Sequence, residues 1–169
     1  MLLKSEMNGW DVQYGTGEKI GTVRDLVVNT TARRWPVTGI VLTHGLSRRR
    51  RCLDVPTDEL AVEARDHRLV RRGRTPIHEE AVDTSTPDHL VLGSLEGAKV
   101  YSRDEQYLGR AYDFAISTAP AGGWLVWKFL VRPSDARSAR LRLRVGDIAE
   151  ISRDRIVLKA SKDELPDAR

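Results

Sequence analysis

The sequence predicts an all-β fold made of two copies of one small module, and three features carry that expectation. The first is an internal repeat. With each pair 88 positions apart, Gly9 falls on Gly97, Val12 on Val100, Ile20 on Leu108, Gly21 on Gly109, Asp25 on Asp113, Leu26 on Phe114, Val28 on Ile116 and Thr30 on Thr118. After a one-residue slip, the run from Trp35 to Leu42 lies on Trp124 to Val131. Further on, Leu53 to Val55 answers Leu143 to Val145, Leu60-Ala61 answers Ile148-Ala149, and Asp66 to Val70 answers Asp154 to Val157 with one residue fewer. The second feature is a short period-two apolar pattern broken by turn residues about every eight to twelve positions, the mark of a small sandwich or barrel. The third is length: 169 residues make one domain of roughly 150 residues or two of about 80.

The elements of the first copy follow in order. Trp10 to Tyr14 reads as a strand, and Gly15-Thr-Gly-Glu-Lys19 as a hairpin loop whose glycines supply positive φ. Ile20 to Val28 is a longer strand, Asn29 to Arg34 a turn, and Trp35 to Thr43 the next strand. A loop through Gly45-Leu-Ser47 and four arginines leads to a strand over Arg51 to Val55, then to a short helical turn over Pro56 to Leu60. Arg68 to Arg71 closes the module. The expected organisation is a first module over 1–75, a linker over 76–93 rich in Pro, Ser and Thr, a second module over 94–160, and a polar tail over 161–169.

Strand, a hairpin ending in Gly17-Glu-Lys-Ile-Gly21 or, with only the last glycine kept, Glu105-Gln-Tyr-Leu-Gly109, Asp-Leu/Phe strand, apolar strand and a short strand leading to Val55-Pro-Thr-Asp-Glu-Leu60 or Val145-Gly-Asp-Ile148 recur in both copies. This order resembles the PRC-barrel family, the β-barrel module of the photosynthetic reaction centre H subunit and of the C-terminal domain of RimM-type ribosome maturation factors. The resemblance runs from about Asn8 to Arg72 and again from about Glu96 to Lys159. It implies two tandem small β-barrels and a non-catalytic adaptor that docks on other macromolecules. The second copy departs where Val55-Pro56 becomes Val145-Gly146, and its turn at Ala119-Pro-Ala-Gly-Gly123 is rich in glycine.

Composition narrows the class. Lys and Arg total 28 and Asp and Glu 24, an excess of 4, of which arginine supplies most since there are 22 Arg and 6 Lys. Both halves, divided at Ser85, hold 14 basic and 12 acidic residues, so no charged arm stands apart. A single Cys52 excludes an internal disulfide and a cysteine-rich zinc site, and fits a reducing compartment. No signal-peptide core and no run of roughly 20 apolar residues is present, so a soluble cytoplasmic protein is expected. Lys162-Asp-Glu-Leu165 spells a retention signal that is read only at a C-terminus, and four residues follow it.

Catalytic and cofactor chemistry finds little support in the residues. Gly15-Thr-Gly-Glu-Lys-Ile-Gly21 has neither the spacing nor the following helix of a nucleotide loop. Asp25 and Asp113 could serve as paired carboxylates, but recurrence at one point of a repeated strand points instead to a shared backbone contact. Asp58-Glu59 and Asp147 to Glu150 suit the start of a closing turn. His44, His67, His78 and His89 follow no metal-ligand spacing and recur at no equivalent site. Cys52 follows four arginines that would lower its pKa if exposed, with no histidine nearby in sequence to act as base. No catalytic residue, cofactor or metal is therefore expected.

Binding is the expected activity, and two sets of residues are candidates for it. The first is basic: Arg48, Arg49, Arg50 and Arg51 with Arg71, Arg72 and Arg74, able to hold phosphate bidentately. In the second copy Arg137, Arg140, Arg142 and Arg144 occupy the equivalent region, and the last three alternate with Leu141 and Leu143 as on an edge strand with one charged face. The second set is aromatic. Trp124 and Trp127, three apart on a strand, face opposite sides; one belongs to the core, and the other, sharing its face with Phe129, is an interface anchor. The expected partner is a protein, with RNA or the ribosome, a peripheral membrane or cell-division complex, and a homo-oligomer as the alternatives.

Overall fold

In the computed structural model the described residues are 1–43, 50–54, 56–73, 78–81, 90–118, 123–135 and 139–165, with 50–54 and 78–81 described as backbone alone. The first copy contributes β2 (Asp11–Tyr14), β3 (Lys19–Val28), β4 (Trp35–Thr43), β5 (Arg50–Asp54), β6 (Leu60–Glu63) and β7 (Arg68–Arg71). The second contributes β10 (Lys99–Tyr101), β11 (Tyr107–Ser117), β12 (Leu125–Pro133), β13 (Leu141–Arg144), β14 (Ile148–Ile151) and β15 (Arg155–Leu158). Two brief strands precede the copies, β1 (Leu2–Leu3) and β9 (Leu90–Val91), and β8 (His78–Ala81) lies between them. The one α-helix among the described residues, α1, is the single turn Lys4–Met7. The fold is all-β, as the period-two pattern predicts.

The strands pair in the order β14-β15-β10-β11-β12-β4-β3-β2-β7-β6. Read outward from the β12·β4 seam, equivalent strands follow one another in both directions, so the repeat in sequence is a repeat in space. The path is open, ending at β14 and β6. At the seam Leu125 pairs with Pro36 and Val126 with Trp35, and Val37 N–H donates to the Trp124 carbonyl at 2.9 Å. Pro36 and Leu125 are repeat partners, so the two copies meet about a local two-fold.

Irregularities repeat as faithfully as strands. Ile20 and Arg24 are extra residues in β3, as Leu108 and Tyr112 are in β11; Thr38 is extra in β4, as Trp127 is in β12. Each is a β-bulge, which bends its strand and re-aims the side chains around it. Bulges at matched positions are built into the module rather than accidents of either copy.

The segments leading into the copies are exchanged. β1 pairs with β11 of the second copy, Leu2 opposite Ile116 and Leu3 opposite Ala115, whereas β9 pairs with β3 of the first, Leu90 opposite Val28 and Val91 opposite Val27. Leu2 and Leu90 stand 88 apart, so this too is a repeated device. Each segment continues into a buried turn, α1 with Met7 at the first crossing and a 3-10 turn over Leu92–Leu95 at the second. The stretch 76–93, read from sequence as a linker, thus holds β8 and β9 and part of the core. A single apolar cluster runs through both copies, from Trp10, Val12 and Leu69 through Trp35, Val37, Trp124 and Val126 to Val100 and Ile156. Modules of about 70 residues bury too little surface to be robust alone, and a shared core remedies that.

Candidate functional site

The repeated aspartates anchor the exchanged segments. Asp113 is buried, and its Oδ1 accepts from Ser5 N–H at 3.1 Å and Phe114 N–H at 2.8 Å while Oδ2 accepts from Ser5 Oγ at 2.5 Å. Asp25 Oδ1 accepts from Gly93 N–H at 3.1 Å and Leu26 N–H at 2.8 Å. Ser5 and Gly93 are themselves repeat partners. This is the shared backbone contact that recurrence in sequence suggests, and both carboxylates are occupied by it. The second oxygen of Asp25 faces the Lys4 ammonium at 3.5 Å, and Lys4 also reaches Glu96 at 2.6 Å. A Cβ at Gly93 would overlap Asp25 Oδ2, so the close approach needs glycine. Burial pushes the Asp25 carboxyl up, with Lys4 and the two backbone donors acting against it.

The predicted binding residues separate. Arg48, Arg49 and Arg74 lie outside the described residues, and Arg50, Arg51 and Cys52 are described only as backbone of β5. Arg71 is corrected: it is buried at 6 % exposure, 3.4 Å from Glu59, with Nε lacking a hydrogen-bond partner among the described residues. It sits on β7 between β2 and β6, where one strand face points inward. Arg72 is exposed, its backbone N–H donating to Glu59. Trp124 is core, 2 % exposed, with its backbone N–H donating to Thr57 Oγ1 of the first copy at 2.7 Å. Phe129 is corrected as well: it is fully buried and does not share a face with Trp127. The bulge at Trp127 breaks the alternation on which that expectation rested.

Trp127 is the exposed aromatic, at 39 %. It opens into a cavity of about 500 Å³ at the junction of the copies, lined by Arg33 and Arg34 from the turn before β4 and by Arg144, Val145, Gly146 and Asp147 after β13. The Arg144 guanidinium lies 5.9 Å from the Trp127 ring centroid, within cation–π range. Arg33, Arg34 and Arg144 are exposed, and among the described residues none of them has a carboxylate partner. Lys128 stands directly opposite Arg144 in the β12·β13 register, a like-charge pair that disfavours the bare strands. The arrangement can hold carboxylates or phosphates beside an aromatic face. Arg33 and Arg34 were missed as site residues in sequence, where they read as turn residues; the signal was a basic pair ahead of a core tryptophan.

Among the described residues no group of three His, Cys, Asp or Glu is placed to hold a metal ion, and no helix is long and apolar enough to cross a membrane. Neither a comparison with protein-family models nor one with curated proteins finds a match to this chain. What fold and site define is an all-β protein of two pseudo-symmetric copies with a cationic, tryptophan-bearing groove where they join.

Proposed function

We propose that this chain is a non-catalytic adaptor, two PRC-barrel-like modules fused through a common core, that binds a protein partner at the junction groove. One observation carries the reading: Trp127 is exposed beside Arg33, Arg34 and Arg144, cations with no carboxylate partner among the described residues, in a cavity to which both copies contribute. Tryptophan and arginine are the side chains that most often dominate interface energetics, and an unpaired cationic wall favours an acidic partner. The Asp147 carboxylate in the same wall suits a peptide, which brings donors as well as acceptors, better than a polyphosphate backbone.

Affinity capture from a lysate of the source cells, with and without nuclease, tests this. A protein retained after nuclease treatment, and lost by at least about tenfold on Trp127→Ala or on Arg33→Ser with Arg34→Ser, supports the adaptor. Recovery that collapses with nuclease, or falls steeply with salt as counterion release dictates, makes the protein an RNA-associated factor instead.

A further inference from the structure

The two copies differ at one sheet edge. In the first, β5 lies between β4 and β8, with Arg51 opposite Ala81, Cys52 opposite Glu80, Leu53 opposite Glu79 and Asp54 opposite His78. Its counterpart in the second copy is β13: Leu53 pairs with Ile40 on β4 as Leu143 pairs with Phe129 on β12, and Ile40 and Phe129 are repeat partners. β13 pairs with β12 alone; among the described residues no strand occupies the place that β8 takes on β5. The first copy therefore shows, within this chain, how such an edge is filled.

We propose that the open edge of β13 is a docking edge, which adds an extended segment of a partner protein as an antiparallel strand carrying carboxylates at two alternate positions. The inference rests on the adaptor reading and names its partner's chemistry. An edge strand presents unpaired backbone N–H and C=O groups along its length, and strand addition satisfies them. The side chains specify the rest. Arg142 stands where Cys52 does, opposite the Glu80 position, and Arg144 stands where Asp54 does, opposite the His78 position. Where the first copy has an aspartate the second has the cation Arg144, and a cation on this face calls for a carboxylate opposite it. Arg142 and Arg144 are exposed and alternate with Leu141 and the buried Leu143, so both present to one face of an added strand. Neither has a carboxylate partner among the described residues. With the polarity of β8, the residues preceding the carboxylate at Arg144 lead to the groove at Trp127, Arg33 and Arg34.

The test uses the full chain and a capped synthetic peptide, Thr-Ile-Glu-Val-Glu-Ala-Thr, with three controls: Lys for both Glu, Pro for the central Val, and single-stranded oligouridine. The expected result is binding of the acidic peptide with slowed hydrogen exchange of the amides at 141–144. Arg142→Glu with Arg144→Glu weakens it by at least about tenfold, the scale of one charge-assisted hydrogen bond, and confers binding of the Lys peptide. Arg142→Gln with Arg144→Gln, a milder change in the same exposed strand, weakens binding in the same direction. A Pro peptide that binds as well as the parent, or amides at 141–144 that exchange unchanged, overturns strand addition. If the acidic peptide fails while capture of a protein still depends on Trp127 and Arg33, the docking edge is wrong and the adaptor reading stands. If oligouridine binds and the peptide does not, both fall.

Discussion

The two copies share strand order and its irregularities and diverge at particular contacts and at one sheet edge. Strand order, three pairs of bulges, the exchanged leading strands and the aspartates that hold them recur. Around the recurring aspartates, however, Ser5 donates twice to Asp113, whereas Gly93 donates once to Asp25 and leaves its second oxygen to Lys4. The position of Lys4 is taken by the buried Leu92 in the other segment. At the hairpin, Gly17 at φ 89° becomes Glu105 at φ 60°. The edge that β8 covers in the first copy has no covering strand among the described residues of the second. A duplicated module keeps the aspartate contact that fixes its leading segment while the groups around it and at the sheet edge change, and the exposed differences mark where the copies can do different work.

The strongest way to break the comparison is to remove the aspartates one at a time. Asp113→Ala leaves the buried Phe114 amide and the partly buried Ser5 donors without their acceptor and is expected to cost about 3 kcal/mol in urea unfolding. Asp25→Ala should cost less, because burial already disfavours its charge. Equal losses would mean that the flanking Lys4 restores what burial takes away.

A pH series sharpens the same contrast. The folded-state pKa of Asp25 is raised, so the native state holds this proton more firmly than the unfolded chain. The contribution of Asp25 to stability therefore falls as pH rises from the ordinary aspartate value of 3.8 through the raised one. Unfolding free energies of wild type and Asp25→Asn, measured at several pH values, should show the difference wild type minus variant decreasing across that window. A difference that grows with pH would show that Lys4 outweighs burial.

The smallest effect concerns the hairpins. A side chain in the left-handed region costs about 1 kcal/mol relative to glycine, so Glu105→Gly should relieve strain in the second copy. The loss of the exposed ion pair between Glu105 and Arg155 offsets part of that gain. Thermal unfolding should show a slightly higher midpoint for Glu105→Gly and a lower one for Gly17→Glu.

Much of the module was legible residue by residue. The strand over Trp35–Thr43 has the predicted ends, since turn residues bound a continuous apolar run, and the short turn after Pro56 falls at Thr57–Glu59. The Arg-Leu alternation forms a strand over Leu141–Arg144 with a charged face, paired on one side alone among the described residues, while Arg140 lies just outside it. By contrast β1 and β9 are apolar pairs of residues, too short for any period, and exist only through the long strands they lie on. Arg71 ends an Arg-Leu-Val-Arg run that reads as surface at its last position, yet β2 and β6 flank it and carry it inside. Trp127 and Phe129 stand two apart, and one bulge sends them to different environments.

The sequence by itself determined the class, the duplication and most strand positions, because period-two burial, turn residues and self-similarity are local properties of the chain. It also named Asp25 and Asp113 as a repeated contact, though not the segments they hold. Tertiary structure alone decided that leading strands cross between copies, that both copies share one core, and that Arg33, Arg34, Trp127 and Arg144 surround one cavity. Those facts depend on residues about 60 to 115 positions apart in the chain meeting across the two copies, and no local pattern encodes which edge of one module faces the other.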